Sequence, residues 1–522
     1  MKDRIAGKIK ENKADLLYCL AVGFLWGLVS YGFIFLSSGF GHDAMVEFNS
    51  ASYGNNLKIQ AGRVFVPAYR FITRTALTIP WMIGLFSLLW FSLALFFLTK
   101  LLGLHSRYSV ALAGGLLITN PAICALAATY IHDMDSNALA LLCAVLAVYL
   151  WARSPKGFLA GMVCVCLALG IYQSYLSIVI TLIVYVCLLH ILDGEGWQKV
   201  LLMGGKGIGM ILGGGMLYLP ALKIIPAVTG IPIATNGYNT LDKMTRLDSK
   251  NIAEYASNAY RTAIHEMVQL PSGYPQKVIR LLVGCSLFLL AVIMLLGLLR
   301  KKVTVVGKIM AVVLLAVLPL GMNLTHVLTL GVSHDLMYYA IWMIFLFVLT
   351  MGLWFARTEL FVPQVLRKGI CAVICLLLSL VVLGDVQLAN MACLRREMNA
   401  QATFALMNRV TYEIEHLPGY VRGQTPVVFI GRPDNQLQEI PNTEPARDLV
   451  GGGYGSAIGT GNRGPYDVYI KNILQVNMCV AQQDLWNFVH CDQAVKEMPC
   501  YPEPGSVVLR EDGAVAVKFA EQ

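Results

Sequence analysis

The chain is long, apolar and moderately basic, a combination that excludes a soluble globular protein. Of its 522 residues, 57% are hydrophobic and 14% are charged, whereas a soluble domain typically has about 25% charged residues. The formal net charge of +9 does not indicate a nucleic-acid partner, because Lys and Arg are concentrated in short segments between long apolar runs. The composition therefore predicts an all-α polytopic membrane protein.

The apolar runs predict eleven membrane spans. A run of about 20 apolar residues is long enough to cross the hydrocarbon core of a bilayer. The run at residues 157–192 is too long for a single span, and a break at Gly170–Tyr175 is expected to divide it into two spans. The other predicted spans cover residues 16–36, 79–98, 108–128, 137–151, 207–228, 277–299, 308–328, 336–355 and 369–388.

The basic residues predict the orientation of the spans. The N-terminal segment MKDRIAGKIKENK is basic and is expected to lie in the cytoplasm. With eleven spans, the basic loops all fall on that same side, and the C-terminus lies outside. Without the break at Gly170–Tyr175 the cluster Arg300–Lys302 would lie outside, which the positive-inside rule disfavours. Two long loops, residues 37–78 and 229–276, are then external.

The composition changes towards the C-terminus and predicts a second domain. Residues 1–392 are expected to form the membrane domain, and residues 393–522 a small extracytoplasmic α/β domain. The latter is expected to begin with an amphipathic helix at 400–416, followed by a strand at 426–430 and a hairpin around Gly513. An external setting permits a disulfide bond. The sequence does not choose a pair among Cys479, Cys491 and Cys500.

The first external loop contains the main candidate site. A charged residue directly after a span is often only a solvated cap, but His42 and Asp43 are followed by Glu47, one helical turn after Asp43. Arg63 follows a glycine, which permits close approach of the backbone to a ligand. A carboxylate can act as a general base, and a guanidinium binds phosphate oxygens in a bidentate manner. The loop therefore favours group transfer from a lipid phosphate, with His42, Glu47 and Arg63 as candidate substrate contacts.

A second polar cluster precedes the fourth predicted span. Asp133 is either a helix cap or a second catalytic carboxylate that assists Asp43. His132 is a candidate substrate contact beside it. Together with Asp43 and Glu47, these two residues could also bind a divalent metal, although no fixed spacing requires one.

Two further positions on the predicted outer face are candidate substrate contacts. Tyr172 and Gln173 are either part of an interfacial aromatic belt or bind a sugar by stacking and amide hydrogen bonds. His334 could contact a phosphate, next to a helix-capping Asp335. The second external loop is expected to contain an amphipathic helix, which is either a membrane-surface helix or a lid over an acceptor groove.

The chain resembles the glucosyltransferase-II family of polytopic bacterial membrane transferases, within the GT-C class of lipid-phosphate-sugar-dependent enzymes. The resemblance extends over most of the chain and depends on the order of short motifs: Gly41-His42-Asp43, Gly62-Arg63 with Pro67, Ile131-His132-Asp133-Met134-Asp135-Ser136-Asn137, Leu169-Gly170-Ile171-Tyr172-Gln173-Ser174, Val428-Phe429-Ile430-Gly431 and Met498-Pro499-Cys500-Tyr501-Pro502.

The resemblance implies an undecaprenyl-phosphate sugar donor, with glucose as the sugar, and a surface polysaccharide or another glycan as acceptor. It also implies a catalytic aspartate in the first loop, which is Asp43 in this chain, on the outer face of the cytoplasmic membrane. A transporter or flippase of a lipid-linked sugar is the alternative. Transporters place polar sites near the bilayer midplane. Here the spans are expected to be nearly free of charge apart from Lys223, which favours the transferase.

Overall fold

The structure is a computed structural model that describes residues 2–37, 42–45, 53–75, 77–154, 156–235, 251–268, 276–447, 449, 458 and 464–520. Within these ranges, the side chains of residues 2–11, 42, 43, 53, 276–280 and 435 are not described. Glu47, which the sequence places among the substrate contacts, lies outside the described residues, as do the side chains of His42 and Asp43.

The larger part of the protein is a bundle of α-helices. The helices up to the third predicted span are α1 (Lys2–Leu36), α2 (His42–Met45), α3 (Tyr53–Gln60), α4 (Val66–Thr73), α5 (Pro80–Leu102), α6 (Arg107–Ile118) and α7 (Pro121–Thr129). The next are α8 (Met134–Arg153), α9 (Gly157–Ile171), α10 (Leu176–Leu192), α11 (Trp197–Thr229) and α12 (Ile252–Val268). The bundle ends with α13 (Gln276–Leu298), α14 (Val305–Met322), α15 (Leu324–Leu328), α16 (Tyr339–Trp342), α17 (Ile344–Arg357) and α18 (Gln364–Glu415).

The helices confirm the polytopic membrane fold. In the described part of the chain, nine helices are long and apolar enough to cross a bilayer. The pair α6 and α7 bends by 47°, where the side chain of Asn120 caps α7 and Pro121 begins it, and the number rises to ten if this pair counts as one span. The helix α9 is apolar but only 15 residues long. The predicted number of eleven spans is therefore approximate.

The predicted break in the long apolar run is confirmed. Tyr172 leaves the helical conformation, with φ −158° and ψ 115°, and a 3-10 turn follows at Gln173–Tyr175. The carbonyl of Gly170 accepts a hydrogen bond of 3.0 Å from Phe65 in the first loop. At the far end of α10, the carbonyl of Leu192 accepts from Arg300. The helix α10 therefore runs from the end of the bundle that the first loop contacts to the end that contains Arg300.

The basic loops meet at the end of the bundle that is opposite to the first loop. Lys100 forms an ion pair with Asp15 in α1. Arg357 donates a hydrogen bond of 3.4 Å to the carbonyl of Gly103, next to Lys100. The clustering of cations at one end is the arrangement that the positive-inside rule describes.

The last span differs from the prediction. The sequence predicts a span at 369–388 and a separate helix at 400–416, whereas α18 is one continuous helix of 52 residues. At about 1.5 Å per residue it is about 78 Å long, more than twice the thickness of a bilayer core. No proline interrupts it, so nothing in the sequence ends the helix between the two predicted segments.

Asp385 is buried in this span, so the expectation that Lys223 is the one notable charge in the spans was wrong.

A small sheet follows α18. The strands, β1 (Pro426–Ile430), β2 (Cys479–Val480), β3 (Val507–Leu509) and β4 (Val515–Lys518), lie in the order β2-β1-β4-β3. β1 is parallel to β2 and β4, and β3 is antiparallel to β4. The predicted strand and hairpin are confirmed, with Gly431 and Gly513 in the left-handed conformation after β1 and in the hairpin turn. Cys479 and Cys491 are free thiols.

Short helices pack around the sheet and connect it to the first loop. They are α19 (Glu444–Arg447), α20 (Gly464–Tyr469), α21 (Gln483–Cys491) and α22 (Gln493–Glu497). The helix α2 contacts both α7 and α20. Its residue Ala44 belongs to the apolar core of the bundle, and Met45 belongs to the apolar core of the C-terminal domain. The short helix that carries His42 and Asp43 is therefore held between the two parts of the molecule.

Candidate functional site

Asp133 is the centre of a buried charge cluster at the end of the bundle that the first loop covers. It closes a 3-10 turn, Ile131–Asp133, directly before α8. Its carboxylate accepts from Lys58 Nζ at 2.5 Å and from an Arg70 guanidinium nitrogen at 2.9 Å, and it lies 3.4 Å from Arg63. The side chain makes no capping hydrogen bond to α8. The carboxylate is thus used to bind cations of the first loop, and the helix-cap interpretation does not describe it.

A second ion pair lies beside the first. Arg74 Nε donates to Asp135 at 2.8 Å, and both side chains are fully buried. The backbone carbonyl of His132 accepts from Arg74 and, at 3.1 Å, from Arg70. Removing one partner of a buried ion pair costs about 3–5 kcal/mol, because the remaining charge is left without compensation. These contacts fix the first loop to the start of α8.

Lys58, Arg70 and Arg74 are site residues that the sequence interpretation missed. A usable signal was present in their spacing. Arg70 and Arg74 are four residues apart, so they share one face of a helix. Asp133 and Asp135 are two residues apart at the start of the span that these arginines meet. Two cations at helical spacing and two carboxylates close together on the same predicted face indicate a double ion pair.

The backbone next to Arg63 accepts two side-chain hydrogen bonds, and a third hydrogen bond joins their donors. Gly62 has a φ of 76°, a conformation that favours glycine. Its carbonyl accepts from the hydroxyl of Tyr218 in α11 at 2.7 Å. The amide nitrogen of Gln173 donates to the carbonyl of Ala61 at 3.3 Å and to Tyr218 at 3.0 Å. The predicted sugar contact Gln173 therefore positions the Arg63 turn through its amide nitrogen.

The guanidinium of Arg63 retains capacity for a ligand. It lies over the ring of Tyr172, 4.3 Å from the centroid, and makes one long contact of 3.4 Å with Asp133. Its Nε is buried and has no hydrogen-bond partner among the described residues. The side chain is 17% exposed, so the group lies at the edge of the cluster. An arginine held flat on an aromatic ring, with unused N–H donors, suits a phosphate or carboxylate ligand.

The remaining predicted contacts lie at three places. His132 is buried, with Nε2 3.5 Å from Lys58 Nζ, and its Nδ1 has no hydrogen-bond partner in the described part of the chain. Tyr172 is buried against Arg63, so it is not part of an exposed aromatic belt. His334 precedes the 3-10 turn Asp335–Tyr338, which contacts α7. Burial lowers the pKa of His334 below its ordinary value.

The described residues do not form a metal site. Among them, no group of three or more His, Cys, Asp and Glu side chains is arranged to hold a metal ion. The oxygens of Asp133 are bound by Lys58, Arg63 and Arg70, which would compete with a metal. Asp43 and Glu47 complete the predicted metal site, and their side chains lie outside the described part of the chain.

These features define a polytopic membrane protein with a charged site at one end of its helix bundle. The sequence profile of the family described as glucosyl transferase GtrII matches residues 32–351, which is more than half of the chain. The chain belongs to this family and is a membrane glycosyltransferase. No curated protein and no solved structure matches it. The matched region contains Asp43, Arg63, Asp133, Tyr172 and His334.

Proposed function

We propose that the protein transfers glucose from an undecaprenyl-phosphate donor to a glycan acceptor, with inversion at the anomeric carbon. The observation that carries the proposal is the guanidinium of Arg63, which is stacked on Tyr172 and has an Nε without a partner among the described residues. It lies at the edge of the cluster, where the phosphate of a membrane-bound donor can reach it. Its charge opposes the negative charge that grows on the leaving phosphate in the transition state.

In the proposed reaction, the acceptor hydroxyl oxygen attacks the anomeric carbon and forms the new glycosidic bond. The bond between that carbon and the phosphate oxygen breaks, and undecaprenyl phosphate leaves with the electron pair. Asp43 takes the proton of the acceptor hydroxyl as general base. The position of α2 supports this role, because α2 contacts α7, the helix that leads into the turn of Asp133.

Asp133 has a different proposed role from Asp43. A carboxylate that accepts from Lys58 and Arg70 and lies near Arg63 is held in its charged form, which makes it a weak base. We therefore assign Asp133 to the positioning of these cations. Glu47, His132 and His334 remain predicted substrate contacts.

The proposed orientation places the site on the outer face of the cytoplasmic membrane. The N-terminus and the basic loops at Lys100, Arg300 and Arg357 then face the cytoplasm, in agreement with the positive-inside rule. The donor reaches the site from the outer leaflet, and the C-terminal domain lies on the same side as the acceptor.

The test compares Asp43→Asn with the wild type in lipid nanodiscs, using undecaprenyl-phosphate glucose with a radiolabelled sugar. The acceptor is surface glycan purified from a host strain that lacks this gene. We expect Asp43→Asn to lower transfer by about a hundredfold to about ten-thousandfold, since loss of a general base typically removes a factor of about 10²–10⁴. Thermal stability should not change.

Asp15→Asn is the matched control, because Asp15 is a half-exposed aspartate at the opposite end of the bundle. It should retain full transfer activity. Full activity of Asp43→Asn with this donor and acceptor would contradict the assignment of the base. A wild-type protein that uses the donor neither with the glycan nor with water would contradict the proposed function itself.

A further inference from the structure

A cavity of about 580 Å³ lies in the C-terminal domain, beside α20 and the segment that follows it. Its volume is within the range of about 300–1,000 Å³ that is typical of small-molecule sites. Neither the charge cluster around Asp133 nor the proposed chemistry uses this cavity. It belongs to the part of the chain that follows residue 351, where the match to the family profile ends. Its ligand is therefore indicated by the residues of its own lining.

The backbone that forms one wall of this cavity has two unusual features. After α20 the chain continues as a wider π-helical turn, Ile470–Leu474. Gln475 ends this turn in the left-handed conformation, with a φ of 54° and a ψ of 37°. Residues other than glycine adopt this conformation rarely, and both features occur often at functional sites. The wall of the cavity is therefore a candidate binding surface.

Five polar side chains line the cavity, and they carry no net charge together. They are Asp467, Lys471, Asn472, Gln475 and Asn477. Three of them are amides, which both donate and accept hydrogen bonds. Asp467 and Lys471 are four residues apart, but neither forms an ion pair with any residue that the structure describes. Such a lining favours a neutral ligand with many hydroxyl groups, in contrast to the cations around Asp133.

The wall of the cavity is anchored to the rest of the domain. Ile470 and Met478 line the cavity and are buried in the apolar core of the C-terminal domain. Gly423, between α18 and β1, has a φ of 73°, and a Cβ at this position would lie 2.7 Å from Nδ2 of Asn477. The side chain of Asn477 therefore lies directly on the glycine backbone. A wall that is formed before the ligand arrives lowers the entropic cost of binding.

The cavity is open to solvent and is connected to the short helix that carries Asp43. Lys471, Gln475 and Asn477 are exposed, so one unit of a long chain can enter while its other units stay outside. The helix α20, which leads into the wall of the cavity, contacts α2. Met45 of α2 belongs to the same apolar core as α20. A chain bound in the cavity is therefore held by the helical segment that contacts the helix of the proposed base.

We infer that this cavity binds a sugar unit of the acceptor glycan. The amides and the carboxylate of Asp467 bind its hydroxyl groups, and the side chains of Val476 and Met478 contact its C–H groups. This inference rests on the proposed function and adds an acceptor site to the donor site that Arg63 marks. It assigns recognition of the acceptor to a part of the protein outside the region that the family profile matches.

The experiment measures binding of the acceptor separately from use of the donor. The full-length protein in lipid nanodiscs is titrated with fluorescently labelled surface glycan from a host strain that lacks this gene, without donor, to obtain a Kd. Cleavage of undecaprenyl-phosphate glucose by water is measured without glycan, and the KM for the glycan with both substrates. For Lys471→Trp we expect the Kd and the KM to rise about tenfold or more, because the indole fills the cavity. Cleavage by water should stay within about twofold of the wild type.

Two further variants separate binding from stability. Gln475→Gly removes one amide and relieves the left-handed conformation, which glycine adopts readily. It should raise the Kd for the glycan several-fold without lowering the thermal unfolding temperature, a combination that a purely structural role of Gln475 would not produce. Lys496→Trp is the matched control, because Lys496 is an exposed lysine of α22 in the same domain and does not line the cavity. It should leave the Kd, the KM and cleavage by water unchanged.

Two results would overturn the inference. An unchanged Kd for the glycan in both Lys471→Trp and Gln475→Gly would show that the glycan does not bind in the cavity. An equal rise of the Kd in Lys471→Trp and in the control Lys496→Trp would show that the effect is not specific to it. A wild type that binds the glycan but transfers no sugar to it would contradict the proposed function, whereas loss of that binding in Lys471→Trp alone would still support the cavity as a glycan site.

Discussion

The two ion pairs that Arg74 and Arg63 make show how one residue type serves two purposes in the same cluster. Arg74 and its partner Asp135 are fully buried, and the guanidinium is bound by that carboxylate and by backbone carbonyls. Arg63 is partly exposed, makes a single long contact with Asp133, and lies on an aromatic ring. The first arrangement stabilises the fold, whereas the second leaves a cation ready for a ligand. Burial and remaining donor capacity, and not charge alone, distinguish them.

The largest effect on stability should follow from Asp135→Asn. This change leaves the guanidinium of Arg74 buried without its counter-charge and should lower the free energy of unfolding by about 3–5 kcal/mol. The measurement is denaturant unfolding of the protein in mild detergent. Asp15→Asn breaks a half-exposed pair with Lys100 and should cost less than about 1 kcal/mol. Equal losses in the two variants would remove the distinction between a buried structural pair and an exposed one.

Arg63→Lys tests the proposed role of Arg63 as a cation that binds a ligand. Lysine keeps the charge but loses the planar fork that binds two phosphate oxygens and stacks on Tyr172. We expect kcat/KM for the donor to fall about tenfold to about a hundredfold, which corresponds to about 1.4–2.7 kcal/mol of transition-state binding. The thermal unfolding temperature should remain close to that of the wild type. A variant with normal donor kinetics and reduced stability would make Arg63 structural, like Arg74.

Tyr218→Phe should have a smaller effect. It removes the donor to the carbonyl of Gly62 and the acceptor for Gln173, and so loosens the turn that carries Arg63. The expected cost is about 1 kcal/mol of stability with a several-fold higher KM for the donor. The measurements are thermal unfolding and donor kinetics. Tyr149→Phe, which removes a contact with Arg153 at the opposite end, is the control and should leave the donor KM unchanged.

The smallest effect is expected for Glu266→Gln, at a partly buried carboxyl group whose pKa is raised by burial and, to a smaller extent, by the charge of Asp335. Because the folded protein raises the pKa of Glu266 above its ordinary value of 4.5, the folded state binds the proton more tightly than the unfolded state. Stability should therefore fall as the pH rises from 4.5 through the raised pKa. The variant should lose this part of the pH dependence. The check is the unfolding temperature between pH 4.5 and pH 8, and a variant with a steeper decline than the wild type would contradict it.

The parts of the fold that local physics determines were predictable from the sequence. Bilayer thickness limits helix length, which placed the break at Gly170–Tyr175 correctly, and turn chemistry placed the hairpin at Gly513. The continuous helix α18 was missed because the polar stretch after residue 388 suggested an end, although its residues are good helix formers.

The sequence pointed to candidate site residues only where the residue type itself suggests a chemical role. The sequence interpretation selected Arg63 and Asp133 as candidate site residues, but the pairing of Arg70 with Asp133 and of Arg74 with Asp135 depends on how the first loop folds back onto α8. Contacts between residues about 60 positions apart are set by tertiary packing, which periodicity does not describe. For the same reason, the sequence did not predict that the amide nitrogen of Gln173 supports the backbone of the first loop.

The packing of Met45 has a consequence for the order in which the protein matures. The residues that share its apolar core, from Leu406 to Phe519, are synthesised last, several hundred residues after Met45 itself. In the proposed orientation, the short helix with Asp43 reaches its final packing only after the C-terminal domain has crossed the membrane and folded. Until that moment a nascent chain holds Arg63 and Asp133 but lacks a fixed position for Asp43. Completion of synthesis is thus expected to be the last step in the assembly of the proposed active site.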